Sequence, residues 1–122
     1  MKHSVFEYLY RDGGNFKAGG ELLLEGALTD DEIARIRMHL ESGEFFIAEQ
    51  ISVPTLYERL WQECECGPSS EMDHVWHEFD TIRAADGDDL SRLKVWGKAT
   101  SLLAAIENVN YWNPQLSRNW DL

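Results

Sequence analysis

Val5-Phe6-Glu7-Tyr8-Leu9-Tyr10-Arg11-Asp12-Gly13-Gly14-Asn15-Phe16-Lys17-Ala18-Gly19-Gly20-Glu21-Leu22-Leu23-Leu24-Glu25 decides the fold class. Residues 5–10 are aromatic and β-branched in alternation, so Phe6, Tyr8 and Tyr10 share one face of a strand. Asp12-Gly13-Gly14 signals a turn, and Gly19-Gly20 closes a connection that is long for a hairpin. Residues 21–25 read as a second strand, antiparallel to the first.

Downstream, Thr29-Asp30-Asp31-Glu32 is a capping box. The Thr29 hydroxyl accepts from the Glu32 N–H and the Glu32 carboxylate reaches back to the Thr29 N–H. The spacing predicts a helix over 30–42, with Ile33, Ile36 and Leu40 on one stripe and Gly43 ending it. Residues 45–48 (Phe-Phe-Ile-Ala) read as a short buried strand. Pro54 suits a helix's first turn, and Tyr57, Leu60, Trp61 and Cys64 follow at helical spacing before Gly67-Pro68 breaks the chain. Residues 74–83 fit either period, and their Trp, Val, Phe, Thr and Ile favour a strand. After Asp86-Gly87-Asp88, the stripe Leu90, Leu93, Trp96, Ala99, Leu103, Ile106 predicts one helix over 88–110, with Gly97 as a kink. Residues 111–122, with Trp112 and Trp120, are expected to pack back on the domain. The expected fold is α+β: one domain over 1–122, with a three- to four-stranded, mostly antiparallel sheet and about three helices.

The chain has 122 residues and a net charge of −11, with 43% hydrophobic residues. That supports one packed core and argues against disorder. No apolar run approaches the ~20 residues of a membrane span. The N-terminus shows no apolar signal region, and two cysteines make no disulfide framework, so a reducing cytoplasm is expected. The charge is uneven: −5 over residues 1–57, −8 over 58–89 and +2 over 90–122. Such a chain repels nucleic acid, which excludes a direct nucleic-acid binder and points to a basic protein partner. Eight of the ten acids of the middle segment, Glu63, Glu65, Glu71, Asp73, Asp80, Asp86, Asp88 and Asp89, are the expected contact surface.

Few constellations suggest catalysis. Cys64, Cys66, His74 and His77 are ligand types that zinc prefers, but the C-x-C spacing is tight, and in a strand the two histidines point apart. No cofactor is expected; zinc at those four residues is the metal alternative. A cysteine nucleophile would sit in an acidic field, which raises a thiol pKa. Glu71, Asp73, Glu78 and Asp80 with His77 lack an accompanying nucleophile or substrate clamp. The glycine-rich loop has no phosphate-loop ending, and Asp86-Gly87-Asp88-Asp89 lacks the glutamate of a calcium loop.

Three segments resemble a group of small bacterial proteins of unknown function: residues 10–17 (YRDGGNFK), 43–51 (GEFFIAEQI) and 74–79 (HVWHEF). The resemblance spans about the first 85 residues and implies a bacterial, cytoplasmic protein without carrying over a catalytic residue. Its matching polar positions are Arg11, Asp12, Asn15, Lys17, Glu49, Gln50, His77 and Glu78. If those segments meet, they form a polar pocket. The leading expectation is a non-enzymatic interaction module, such as an immunity protein, antitoxin or mobile-element accessory factor, bound to a basic partner. A nucleic-acid mimic that blocks a DNA-binding defence enzyme is the alternative, and a small metal-binding domain or hydrolase the third reading.

Overall fold

The computed structural model describes residues 2–122. β1 (His3–Arg11) and β2 (Lys17–Glu25) pair antiparallel along their full length, from His3 opposite Glu25 to Arg11 opposite Lys17. Gly19 and Gly20 therefore lie inside a strand, and the hairpin loop is short. β1 also pairs antiparallel with β4 (His77–Ala84). Asp80 is the extra residue of a bulge there, because Glu7 faces Thr81 while Tyr8 faces Phe79. β3 (Phe45–Phe46) extends the sheet beyond β4, and β5 (Val95–Lys98) runs parallel to β2 at the other edge. The sheet has five strands in the order β3-β4-β1-β2-β5, more than the three to four expected.

Alternation along β1 explains the core. Phe6, Tyr8 and Tyr10 are buried on one face, and the Phe6 ring stacks on Phe79 with centroids 5.4 Å apart. Each such ring contributes about 1.5–3 kcal/mol through burial. Onto this face pack α1 (Asp30–His39) through Ile36, α2 (Tyr57–Cys64) through Tyr57 and Leu60, and α4 (Ala99–Glu107) through Ala99, Leu102, Leu103 and Ile106. On the other face the short α3 (Gly87–Arg92) is tied to the sheet by Arg83, which bonds Glu7 at 2.6 Å and Asp89 at 2.7 Å. No described helix is long and apolar enough to cross a membrane.

Several element boundaries differ from expectation. The helix predicted over 88–110 is α3, β5 and α4, so Gly97 lies in a strand. α1 stops at His39 because Leu40 is already extended, and Gly43 (φ +73°) serves the following turn instead. Residues 48–51 leave the sheet as a 3-10 turn, and Pro54 stands three residues ahead of α2. The ambiguous segment is a strand, but only from His77.

Residues 111–122 are held by their own contacts. The Trp112 indole donates to His39 O at 2.8 Å, the Ser117 hydroxyl lies 2.9 Å from Tyr57 Oη, and the Asn119 amide donates to His74 O at 2.8 Å. Trp120 remains half exposed.

Candidate functional site

The β1–β2 turn and the loop after α2 enclose a cleft. Asp12 shapes the turn: its Oδ1 accepts from the Gly14 and Phe16 N–H groups at 2.9 and 3.0 Å. Asn15 takes the left-handed conformation (φ 67°) that asparagine tolerates better than most residues. On the opposite side, Glu65 and Gly67 are also left-handed. Gly67 lies so close to Trp61 that a Cβ would come within 2.4 Å of its ring. Asp73 anchors this loop. Its carboxylate accepts from Tyr10 Oη at 2.6 Å, from the Trp61 indole at 3.0 Å and from the Ser69 N–H at 2.8 Å. Burial, then the Asp73 bond, push the Tyr10 hydroxyl well above its ordinary pKa, so it stays a donor. A bond from Gly13 N to Met72 O, 2.7 Å long, joins the two sides. Between them is a cavity of about 110 Å³ lined by Asp12, Phe16, Trp61, Cys66, Met72 and Asp73, among others. Phe16 and Met72 leave much of their surface in solvent, 59% and 45%.

The eight polar positions of the resemblance do not form one pocket. Arg11 bonds Glu78 at 3.0 Å and Asn15 at 2.6 Å, on the sheet face away from the core. Lys17, opposite Arg11, is exposed and makes no ion pair among the described residues. Only Asp12 reaches the cleft. Glu49 and Gln50 tie down the C-terminal tail: Glu49 accepts from the Arg118 N–H at 2.9 Å, while Gln50 donates to Tyr111 O and accepts from the Asn113 N–H.

His77 is sealed in the core. Its Nε2 accepts from the Leu56 N–H at 3.0 Å, which places the proton on Nδ1, and Nδ1 has no partner. The rings of Tyr8, Tyr10, Phe46 and Tyr57 surround it at 4.8–6.0 Å. Burial, and secondarily His74, push its pKa down to about 3.

The four residues of the metal alternative are not brought together as a ligand set. His74 Nε2 lies 2.6 Å from Arg11 O and its Nδ1 accepts from the Trp76 N–H, while the Cys64 and Cys66 sulfurs are within bonding distance of each other. Among the described residues, Asp86, Asp88 and Asp89 do bring ligand oxygens together, but each has a structural use. Asp86 caps α3, Asp88 pairs with Arg92, and Asp89 is gripped by Arg83 and Arg92.

The eight acids of the expected contact surface divide in two. Glu63 pairs with Arg59, and Asp73, Asp86, Asp88 and Asp89 are bound as above. Glu65, Glu71 and Asp80 are exposed and make no side-chain bond among the described residues. Glu65 and Glu71 directly adjoin Cys66 and Met72 of the cleft wall. The sequence reading missed Phe16 and Met72 as site residues. Their signal was present as large apolar side chains on glycine- and serine-rich loops, where a purely connecting segment has no need of them. No family model, no curated protein and no solved structure matches the chain.

Proposed function

We propose that this protein is a non-enzymatic interaction module whose cleft between the β1–β2 turn and residues 65–73 receives a basic protein partner. The observation that carries the reading is an apolar cavity, with Phe16 and Met72 half open to solvent, whose wall residues Cys66 and Met72 are next in sequence to Glu65 and Glu71, two exposed carboxylates that make no side-chain bond among the described residues. An exposed apolar centre with charged residues close by is the anatomy of a protein-binding hot spot. The net charge of −11 adds long-range steering toward a basic surface. A bacterial immunity protein, antitoxin or mobile-element accessory factor suits this profile. The interaction reading is preferred to a nucleic-acid mimic because five of the eight acids of the expected contact surface are already bound within the chain, which leaves little of a phosphate-like row.

The test is affinity capture from the host at low salt with three baits: wild type, Glu65→Lys/Glu71→Lys, and Gly14→Leu. A Cβ on Gly14 meets only ordinary contacts, the nearest being Asp12 Oδ1 at 3.4 Å, so a leucine there fills the cleft without breaking the turn. A stoichiometric basic protein held by wild type and lost from both variants supports the reading. A partner retained equally by all three baits contradicts it.

A further inference from the structure

We infer that the cavity is an arginine-side-chain pocket: the partner anchors itself by placing a guanidinium group between Phe16, Trp61 and Met72, against Asp12. This deepens the interaction reading and rests on it. Both oxygens of Asp73 are occupied, Oδ1 by Tyr10 Oη and the Trp61 indole, Oδ2 by the Ser69 N–H and the same indole. Asp12 Oδ1 is occupied by two backbone N–H groups. Only Asp12 Oδ2 has no hydrogen bond among the described residues. Two carboxylates thus line the cavity, the one oxygen among them without a hydrogen bond belongs to Asp12, and the other walls are largely apolar.

That combination selects among cations. A lysine ammonium is compact, strongly hydrated and needs acceptors for three N–H groups. Inserted here it would surrender water for a single free carboxylate oxygen, and its unpaired N–H groups would carry a desolvation cost. A guanidinium is planar and weakly hydrated. It can lay its face on an aromatic ring, donate one N–H to Asp12 Oδ2 and leave its other edge toward the mouth. The volume, about 110 Å³, is somewhat below that of an engineered protein cavity (~150 Å³) that holds one benzene, so it admits one side-chain head group and little more. A neutral side chain of similar reach would gain the apolar contacts but nothing from the two carboxylates.

The test uses three small probes on the intact chain: N-acetyl-arginine amide, N-acetyl-lysine amide and N-acetyl-methionine amide. Binding is read from the NMR shifts of the Gly13, Gly14 and Phe16 amides and of the Trp61 indole N–H. The expected result is arginine amide binding at least about fivefold tighter than either competitor, with loss of the shifts in Gly14→Leu and weakening in Phe16→Ala. Phe16 is a largely exposed turn residue, so its truncation leaves the core intact. Lysine amide binding as well as arginine amide overturns the guanidinium assignment. Methionine amide binding as well makes the cavity a purely apolar pocket and also overturns it. If no probe shifts these resonances at tens of millimolar while a captured partner still protects the cleft, the arginine anchor fails and the interaction reading survives. If the partner protects some other surface, the interaction reading itself fails.

Discussion

Acidification to pH 5 is a perturbation whose effect follows from one side chain. His77 is fully buried, neutral and ringed by aromatic groups, and its pKa is held at about 3. In the unfolded chain its pKa returns to about 6.5. A folded pKa below the unfolded one means that the unfolded state takes up the proton first. The stability contributed by a neutral His77 is therefore complete above pH ~6.5 and is lost progressively as pH falls toward 3. At pH 5 the loss amounts to about 2 kcal/mol, and for a chain of this size that lowers Tm by about 6–10 °C. The other groups held away from their ordinary values do not obscure the effect. Burial raises the hydroxyls of Tyr8, Tyr10 and Tyr57, which stay neutral throughout. The carboxylates held low by ion pairs, Asp89 and Glu107, make their main contribution below this window. The assay is urea unfolding at pH 7.5, 6.5, 5.5 and 5.0 for wild type and His77→Gln. Glutamine keeps an acceptor for the Leu56 N–H and removes the titration. Wild type should lose about 2 kcal/mol more than the variant between pH 7.5 and 5. Parallel profiles would refute the reasoning. So would an NMR titration of the native His77 ring with a midpoint near 6.5, a check that stands even if the variant does not fold.

Other perturbations read separate parts of the structure. Gly20→Ala should cost about 1–3 kcal/mol in denaturant unfolding. Its Cβ would lie 2.8 Å from the Tyr8 ring, which cannot move aside because its hydroxyl is bonded to Pro54 O. Thr29→Ala removes the observed capping box of α1 and should cost about 1 kcal/mol. Arg83→Gln should lower Tm by leaving the buried Asp89 carboxylate with only the Arg92 ion pair and the Asp86 N–H, and adding Asp89→Asn should recover part of the loss; no recovery would show that the Arg83–Asp89 pair is not the cause. Gln50→Ala should open residues 111–122 to limited proteolysis while leaving the β1–β2 hairpin resistant, because Gln50 bonds the backbone at both Tyr111 and Asn113.

Local chemistry was legible where it acts within a few residues. The Thr29 capping box, the β1 alternation and the Asp12 turn all follow from neighbouring side chains, and each is found in the structure. Features decided by distant contacts were not legible. Leu90, Leu93 and Trp96 mimic a helical stripe, yet the chain leaves α3 after Arg92 to pair with β2, a contact about seventy residues away in sequence. The cleft is of the same kind: Phe16 and Met72 line one cavity because the Gly13–Met72 backbone bond joins its two sides and Tyr10 and Trp61 converge on Asp73. The resemblance motifs grouped residues by sequence, but β4 alternation sends His77 into the core and Glu78 to the opposite face, where Arg11 lies. Glu49 and Gln50 were legible as polar positions, whereas their use in holding the tail depends on residues sixty or more positions away.

The central claim is that the turn at 12–16 and the loop at 65–73 form the partner-binding surface. Amide hydrogen exchange of this chain, alone and saturated with its captured basic partner, tests it most directly. Slowed exchange concentrated at residues 12–16 and 65–73, and abolished by Glu65→Lys/Glu71→Lys, is the predicted result. Protection centred instead on β5 or the C-terminal tail, with those two segments unchanged, would contradict the account.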